Sequence, residues 1–371
     1  MKIGILKENN GDKRVAVLPA NVETLRKMQV TVLVEQGAGW QAYIADRYYQ
    51  EAGAEIRQAE KIRQEADLLI RINPFTREEL QQLGEGKVLL SLINPLSNKQ
   101  VVEGAARQGV TTISLDMIPR STRAQAMDVL SSMATTAGYK AVLEAANNLP
   151  SFFPMFMTAA GTIRPAKVLV LGAGVAGLQA IATARKLGGV VEAFDVRTAV
   201  KEEVESLGGK FIEVEGAADA QDSSGYATEQ SDDYKRKQQQ LIHDHALKSD
   251  VIITTAQIPG KKAPLLLKKE TVEQMRAGSV VVDLGAASGG NCELTENSRI
   301  INHQGITIIG NSNYPSELPA DASKMFGNNL VNFLKLIIDS QGNMNLNFDD
   351  DIVKNATITH NHDIINDRFK S

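Results

Sequence analysis

The sequence predicts an α/β chain of two doubly wound domains, with a cleft between them and long helices linking them. Three observations carry that expectation. Short runs of β-branched and aliphatic residues alternate with amphipathic stretches, the pattern of parallel strands covered by helices on both faces. The chain has 371 residues, more than one hydrophobic core reaches, roughly 250–300. Finally, the run KVLVLGAGVAG, Lys167 to Gly177, sets three glycines between an apolar strand and a helical pattern.

Taken in order, the apolar runs of the first domain are Lys2–Leu6, Val30–Glu35, Leu68–Ile72, Val88–Leu92 and Thr111–Leu115. Helix-like stretches lie between them, near Ala20–Met28, Lys61–Ala66, Arg77–Leu83 and Asn98–Gln108. No glycine triplet follows any of these strands, so this domain is expected to lack a nucleotide site of its own. Arg120 to about Asn148 reads as one long helical region, because Met127, Leu130, Ala134, Ala137 and Val142 recur at helical spacing. On such a helix Gln125, Asp128 and Ser132 would share one face, directed at the cleft. Residues 149–165, with Pro150, Pro154 and Pro165, read as a connector.

The second domain is expected to carry six strands: Val168–Leu171, Val190–Asp195, Lys210–Val214, Val251–Thr255, Val280–Leu284 and Ile306–Ile309. After the first of them, Gly172 makes the sharp turn. Gly174 has no side chain to hold a pyrophosphate off the backbone, and Gly177 lets helix and strand approach. The helix N-terminus then offers unpaired N–H groups and a partial positive charge to phosphate. The second strand ends in Asp195, about 20 residues on, where a carboxylate suits the ribose hydroxyls of NAD(H) and repels a 2′-phosphate. Arg197 keeps an NADP reading open. Residues 215–233 are small, polar and acidic, with Tyr226 beside Gly225 as their only aromatic residue. A flap over the site and a tolerated insertion are equally good readings of them. A last helical pattern spans Ala320–Ile338, and the alternating stretch Ile352–Ile358 reads as a hairpin added to the first domain. The domains are thus expected at 1–125 plus 325–371 and at 126–324.

Composition narrows the function. A net charge of −4 leaves no basic footprint for nucleic acid. Cys292 is the only cysteine, so no intrachain disulfide forms and a reducing compartment is expected. The N-terminal apolar run is too short for a signal peptide, and no stretch reaches the about 18–20 apolar residues of a membrane span. His243 and His245, like His360 and His362, stand two apart, which does not put them on one helical face. No metal site is expected, and these histidines read as solvated surface residues.

The motifs together resemble one family. RAQAMDVLSS and AGYKAV, then TAAGTIRPAKVLVLGAGVAGLQAIATA, then TTAQIPGKKAP, VVDL and GGNC are similar to proton-translocating NAD(P) transhydrogenase, in the NAD(H)-binding domain I of its alpha subunit. The likeness runs from GILKE at Gly4 to about Leu334. It implies nicotinamide-side residues at Arg120, Gln125, Asp128 and Ser131, where the helical face alone selects Ser132. It implies cofactor contacts at Gly172, Gly174, Val175, Ala176, Gly177, Asp195, Val196, Arg197, Gly225, Tyr226, Ala256 and Leu284, with Tyr226 on a closing flap. It further implies a homodimer, an NADP(H)-binding domain on the beta subunit, membrane-spanning partner subunits, and a peripheral place on the cytoplasmic face of the inner membrane. The chain stops without membrane helices, as expected of a separate alpha-1 subunit or of a piece cut at the domain boundary.

A more distant resemblance to alanine dehydrogenase breaks where that chemistry needs a lysine and a histidine. The matching strand ends read RINP and LINP, with Asn73 and Ile93 in those places. Ile93 moves no proton, and Arg14 alone does not make an amination site. The segment DLGAASGGN also departs from the transhydrogenase pattern, with Ala287 where Glu or Gln is common, so residue 287 is given no role.

Overall fold

The computed structural model describes residues 1–214, 231–258 and 260–369. The chain forms two compact units, one of Met1–Met133 with Pro315–Ser371, the other of Ala134–Tyr314. The first division falls inside an unbroken helix, Val129–Asn148, so no break in pattern marks it in the sequence.

In chain order the first unit opens with β1 (Lys2–Ile5), α1 (Pro19–Lys27), β2 (Thr31–Glu35), α2 (Asp46–Glu51) and β3 (Glu55–Arg57). It continues with α3 (Ala59–Glu65), β4 (Leu68–Ile70), α4 (Arg77–Gln81), β5 (Val88–Ser91), α5 (Lys99–Arg107) and β6 (Thr111–Ser114). Alternation along the strands sorts the core. Ile3, Ile5, Val32, Val34 and Ile70 join one buried cluster, and Leu33, Leu69 and Leu89 join another with Ile62 and Leu80 of the covering helices. Local chemistry sets the helix ends. At α4, Thr76 Oγ1 accepts the Glu79 N–H at 3.2 Å while Glu79 returns a carboxylate oxygen to the Thr76 N–H at 2.8 Å.

The expected helix from Arg120 is interrupted. Thr122–Met127 is a 3₁₀ turn, Asp128 leaves helical geometry at ψ 88°, and α6 (Val129–Asn148) starts after it. Asp128 is the N-cap, its Oδ1 accepting the Ser131 N–H at 2.9 Å. Gln125, Asp128 and Ser132 therefore do not lie along one regular helix.

The second unit begins within α6. It adds a small antiparallel hairpin, β7 (Phe156–Thr158) and β8 (Gly161–Ile163), where a plain connector is expected. Then come β9 (Lys167–Leu171), α7 (Val175–Lys186), β10 (Val190–Phe194), α8 (Lys201–Ser206), β11 (Lys210–Ile212) and α9 (Asp232–Ala246). β12 (Val251–Thr254), α10 (Lys269–Glu273), β13 (Val280–Asp283), β14 (Ile300–His303) and β15 (Ile306–Ile309) complete it. The strand order is β11-β10-β9-β12-β13-β15-β14, parallel except for β14. This is a doubly wound sheet whose order reverses between β9 and β12. β14 is a seventh strand beyond the six expected. Gln304 (φ 50°) and Gly305 (φ 83°) turn it back as a two-residue hairpin. Both faces are covered, one by α6 and α7 through Ala141, Val142, Ala180 and Ile181, the other by Ile242, Ala246 and Val272 of α9 and α10.

The chain then returns to the first unit through α11 (Pro319–Ile337), whose Phe326, Phe333 and Leu334 are fully buried there. The tail corrects the expected hairpin. Asp350 caps α12 (Asp351–Ala356), so Ile352 begins a helical turn, and the hairpin is β16 (Thr357–His360) with β17 (Asp363–Ile364). β16 pairs antiparallel with β6, giving the order β17-β16-β6-β5-β4-β1-β2-β3. From β3 to β6 the first sheet repeats the winding of the second. Among the described residues no helix is long and apolar enough to cross a membrane.

Candidate functional site

The turn from β9 to α7 has the geometry a pyrophosphate needs. Gly172 holds φ at 103°, and a Cβ there would come within 2.5 Å of Thr255 Oγ1. At Gly177 a Cβ would stand 1.9 Å from the Gly172 carbonyl oxygen, so strand and helix close only on a glycine. Gly174 differs. Its Cβ would meet only Arg197 Nη2, at 3.9 Å, which leaves open space over the backbone. As N-cap of α7, Gly174 supplies no side-chain acceptor, and Val175, Ala176 and Gly177 open the helix. Their first-turn N–H groups have no intrahelical partner and suit an anion. Open backbone at Gly174, paired with closed packing at Gly172 and Gly177, fits a dinucleotide.

Asp195 follows β10 and is largely buried. Its Oδ2 accepts the Ala173 N–H at 2.7 Å, which ties the acid to the glycine turn. Its Oδ1 accepts the Arg197 backbone N–H and Nε, each at 2.9 Å, and Nη2 reaches Oδ2 at 2.8 Å. Val196 lies between them, partly buried. Ala256 and Leu284 follow β12 and β13, so these positions gather at the carboxyl ends of four neighbouring strands. Gly225 and Tyr226 lie outside the described residues.

Two residues at these strand ends carry no assignment from the sequence. Asp283, fully buried, accepts Thr254 Oγ1 and the Gly285 N–H on Oδ1. Its Oδ2 takes the N–H groups of Asn291 and Cys292 and the Thr295 hydroxyl. Asn291 Nδ2 donates to the carbonyls of Ala256, at 2.9 Å, and Pro264, at 2.8 Å. With Gln257 donating to the Leu284 carbonyl at 2.6 Å, the loops after β12 and β13 are laced together beside the cofactor turn. The acid ending VVVD and the asparagine of GGNC are the only sequence signals for this, and neither announces its partner.

In the first unit, Asp128 and Ser131 are brought together. Ser131 Oγ donates to Asp128 Oδ2 at 2.6 Å besides its backbone bond. Ser132 belongs elsewhere, its hydroxyl donating to Asn329 of α11 at 2.6 Å. Asn329 and Asn332 in turn donate to the Ala126 carbonyl, pinning the 3₁₀ turn to α11. Gln125 is exposed on that turn and Arg120 is exposed ahead of it.

Near the ends of β1 and β4, Glu8 accepts the N–H groups of Ile72, at 2.6 Å, and Asn73, at 2.9 Å. The Asn73 amide bridges Glu8 and Asp12, at 2.8 and 3.0 Å. Burial pushes the Glu8 carboxyl up to about 7. Arg14 is bound by Asp12 through Nε and Nη2, and Ile93 is buried. The histidines have local partners: His243 meets Thr271, His245 meets Glu192, His360 meets Thr111 and His362 meets Glu85. Among the described residues no group of three His, Cys, Asp or Glu side chains is placed to hold a metal. Burial pushes the Cys292 thiol up to about 11, far from a nucleophile's range.

Comparison with known proteins agrees with this geometry. Residues 4–137 match the family described as "Alanine dehydrogenase/PNT, N-terminal domain", and residues 141–367 its C-terminal domain. The chain is 44% identical over 375 residues to the NAD(P) transhydrogenase subunit alpha of Rhodospirillum rubrum, in the first of that subunit's separate polypeptides, covering 98% of each. It is 42% identical over 361 residues to NAD(P) transhydrogenase subunit alpha of Haemophilus influenzae, covering 96% of this chain and 70% of that protein. Among solved structures, transhydrogenase from Sinorhizobium meliloti superposes with a TM-score of 0.89 at 40% identity, over 98% of this chain and 100% of that one. The chain therefore belongs to the alanine dehydrogenase/PNT family, and within it to the NAD(P) transhydrogenase alpha subunits.

Proposed function

We propose that the chain binds NAD(H) at the strand ends of its second unit and presents the nicotinamide to NADP(H) held by the beta subunit's NADP(H)-binding domain. Hydride then passes directly between the two rings. The observation that carries this reading is the turn at Gly172, Gly174 and Gly177 tied through the Ala173 N–H to Asp195. When bound, the nicotinamide supplies the redox chemistry, and the protein's role is placement. Val175, Ala176 and Gly177 would bind the pyrophosphate through first-turn N–H groups. Asp195, Val196 and Arg197 would hold the adenosine ribose, and Ala256 and Leu284 would line the site. Arg120, Gln125, Asp128 and Ser131 would orient the nicotinamide ring, and Gly225 and Tyr226 would cover the cofactor and exclude water.

Membrane-spanning partner subunits would couple hydride transfer to proton translocation, with this chain peripheral on the cytoplasmic face. A homodimer belongs to the same reading. Its support is the exposed β7–β8 hairpin, where Phe152, Met155, Phe156 and Met157 form an apolar surface and Met157 is 73% exposed. An alanine dehydrogenase-like activity is less well supported. Ile93 has no proton to exchange, Asn73 is held by Glu8 and Asp12, and Arg14 is taken up by Asp12.

The test is a pair of assays on the purified chain. Alone, it should bind NADH and turn over neither alanine nor pyruvate with ammonia. Mixed with an NADP(H)-binding partner domain, it should transfer hydride to an NAD analogue. Turnover of alanine by the chain alone, or no transfer in the mixture, would refute the proposal.

A further inference from the structure

A carboxylate offers about four acceptor positions, and at Asp195 all four are taken. Oδ2 receives the Ala173 N–H and Arg197 Nη2, and Oδ1 receives the Arg197 backbone N–H and Nε. Two of these donors are backbone groups at the ends of β9 and β10 and stay with the fold. The other two are the Arg197 guanidinium, on a side chain that can rotate. Ribose hydroxyls can reach Asp195 only by replacing those two bonds. The guanidinium also leans toward the glycine turn, its Nη2 standing 3.9 Å from where a Gly174 Cβ would lie. The charge that neutralises Asp195 is therefore a cation already between the ribose acid and the phosphate turn.

We infer that Arg197 is a specificity-determining residue that works against Asp195. It competes with the ribose hydroxyls of NAD(H) for the carboxylate. Once displaced, it puts a guanidinium beside the 2′ position, where it pairs with a phosphate and offsets the repulsion from Asp195. Preference for NAD(H) over NADP(H) at this site is thus a balance of two side chains rather than the work of one acid. The inference rests on the nucleotide reading above and refines its adenosine end.

The experiment is fluorescence titration of NADH and of NADPH into the full chain and into Arg197→Ala, Asp195→Asn and the double variant. The ratio of the two dissociation constants within one variant cancels any general loss of fold. Arg197→Ala should leave NADH binding within about threefold or tighten it, while NADPH weakens about tenfold, the size of one charge-assisted hydrogen bond. Asp195→Asn should tighten NADPH, and adding Arg197→Ala should remove that gain. A ratio that stays within about twofold in Arg197→Ala overturns the inference and leaves nucleotide binding intact. So does an unsubstituted chain that binds NADH but not millimolar NADPH. A chain that binds neither nucleotide overturns the proposed function, and this inference with it.

Discussion

Gly138 offers a sharp test of how the phosphate turn is built. It lies inside α6 with ordinary helical backbone, so by propensity alone Gly138→Ala should stabilise the helix by about 0.5–1 kcal/mol. The surroundings reverse the sign. A Cβ at 138 would stand 2.1 Å from the Ala176 carbonyl oxygen and 2.9 Å from its carbon, both backbone atoms in the first turn of α7. Helix and turn must separate by about 1 Å, and overpacking of this kind costs about 1–3 kcal/mol. The net expectation is a loss of about 1–2 kcal/mol, or a few degrees in melting temperature at about 2–4 °C per kcal/mol. NADH affinity should also fall about tenfold, because the displaced turn carries the phosphate-binding N–H groups. Gly104→Ala is the control. It sits in α5, where a Cβ would meet only Leu80 Cδ1 at 3.7 Å, and it should stabilise the protein by about 0.5–1 kcal/mol with no change in NADH binding. Thermal denaturation and NADH titration of the two variants decide the matter. If Gly138→Ala is as stable as Gly104→Ala and binds NADH normally, the packing argument is wrong.

Glu8→Gln should change how stability depends on pH. The unfolded chain releases the Glu8 proton near its ordinary value of 4.5, while the folded chain keeps it to about 7. Between those values the unfolded state binds fewer protons, so stability is lost as pH rises, by up to roughly 3 kcal/mol. The glutamine variant lacks this slope and should gain on the parent from pH 5 to pH 8 in urea denaturation; parallel curves would show that Glu8 does not titrate there. Asp128→Ala should cost about 0.5–2 kcal/mol as a lost N-cap and, on the proposed function, slow transfer to the partner more than it weakens NADH binding. Asp128→Asn retains a good cap, so full transfer activity in that variant would reduce Asp128 to a capping role. Met157→Asp should convert a homodimer to monomers in sedimentation velocity, and a sedimentation profile unchanged from the parent would remove the β7–β8 hairpin from the interface.

What the sequence disclosed and what it hid follow from range. Strand runs such as Leu68–Ile70 and Val280–Asp283, buried on both faces, announce themselves as unbroken apolar segments. The glycine turn is equally local, since its demands fall within one strand, one turn and one helix. The interruption at Asp128 was hidden because the apolar spacing of Met127 and Leu130 continues through it, although an aspartate three residues before a serine is itself a capping signal. Short edge elements carry too little pattern to separate from loops: β3, the β7–β8 hairpin and β14 run three or four residues each. The Asp283 hub spans Thr254 to Thr295, so its function as a staple exists only once the two loops meet.

The two sheets share one winding, and comparing their reversal points shows why fold alone does not make a nucleotide site. In the second unit the strand before the reversal ends in Gly172, whose carbonyl is held by Thr255 Oγ1 at 2.9 Å and whose missing side chain leaves the crevice to backbone N–H groups. In the first unit β1 runs on through Leu6 and Lys7 to Glu8, and the Glu8 carboxylate occupies the crevice by accepting the N–H groups of Ile72 and Asn73 beyond β4. A phosphate entering there would meet an acid that has already taken the donors. The first helix of that unit starts only at Pro19, with no glycine turn to aim its N-terminus. Placing a glycine at 8 would therefore free two buried N–H groups without building a site, because a phosphate needs the strand, the turn and the helix start within one short segment. Glu8→Gly should lower stability and leave nucleotide stoichiometry at one per chain by equilibrium dialysis with NADH; a second bound nucleotide would show that winding, rather than the residues at the turn, decides where the cofactor goes.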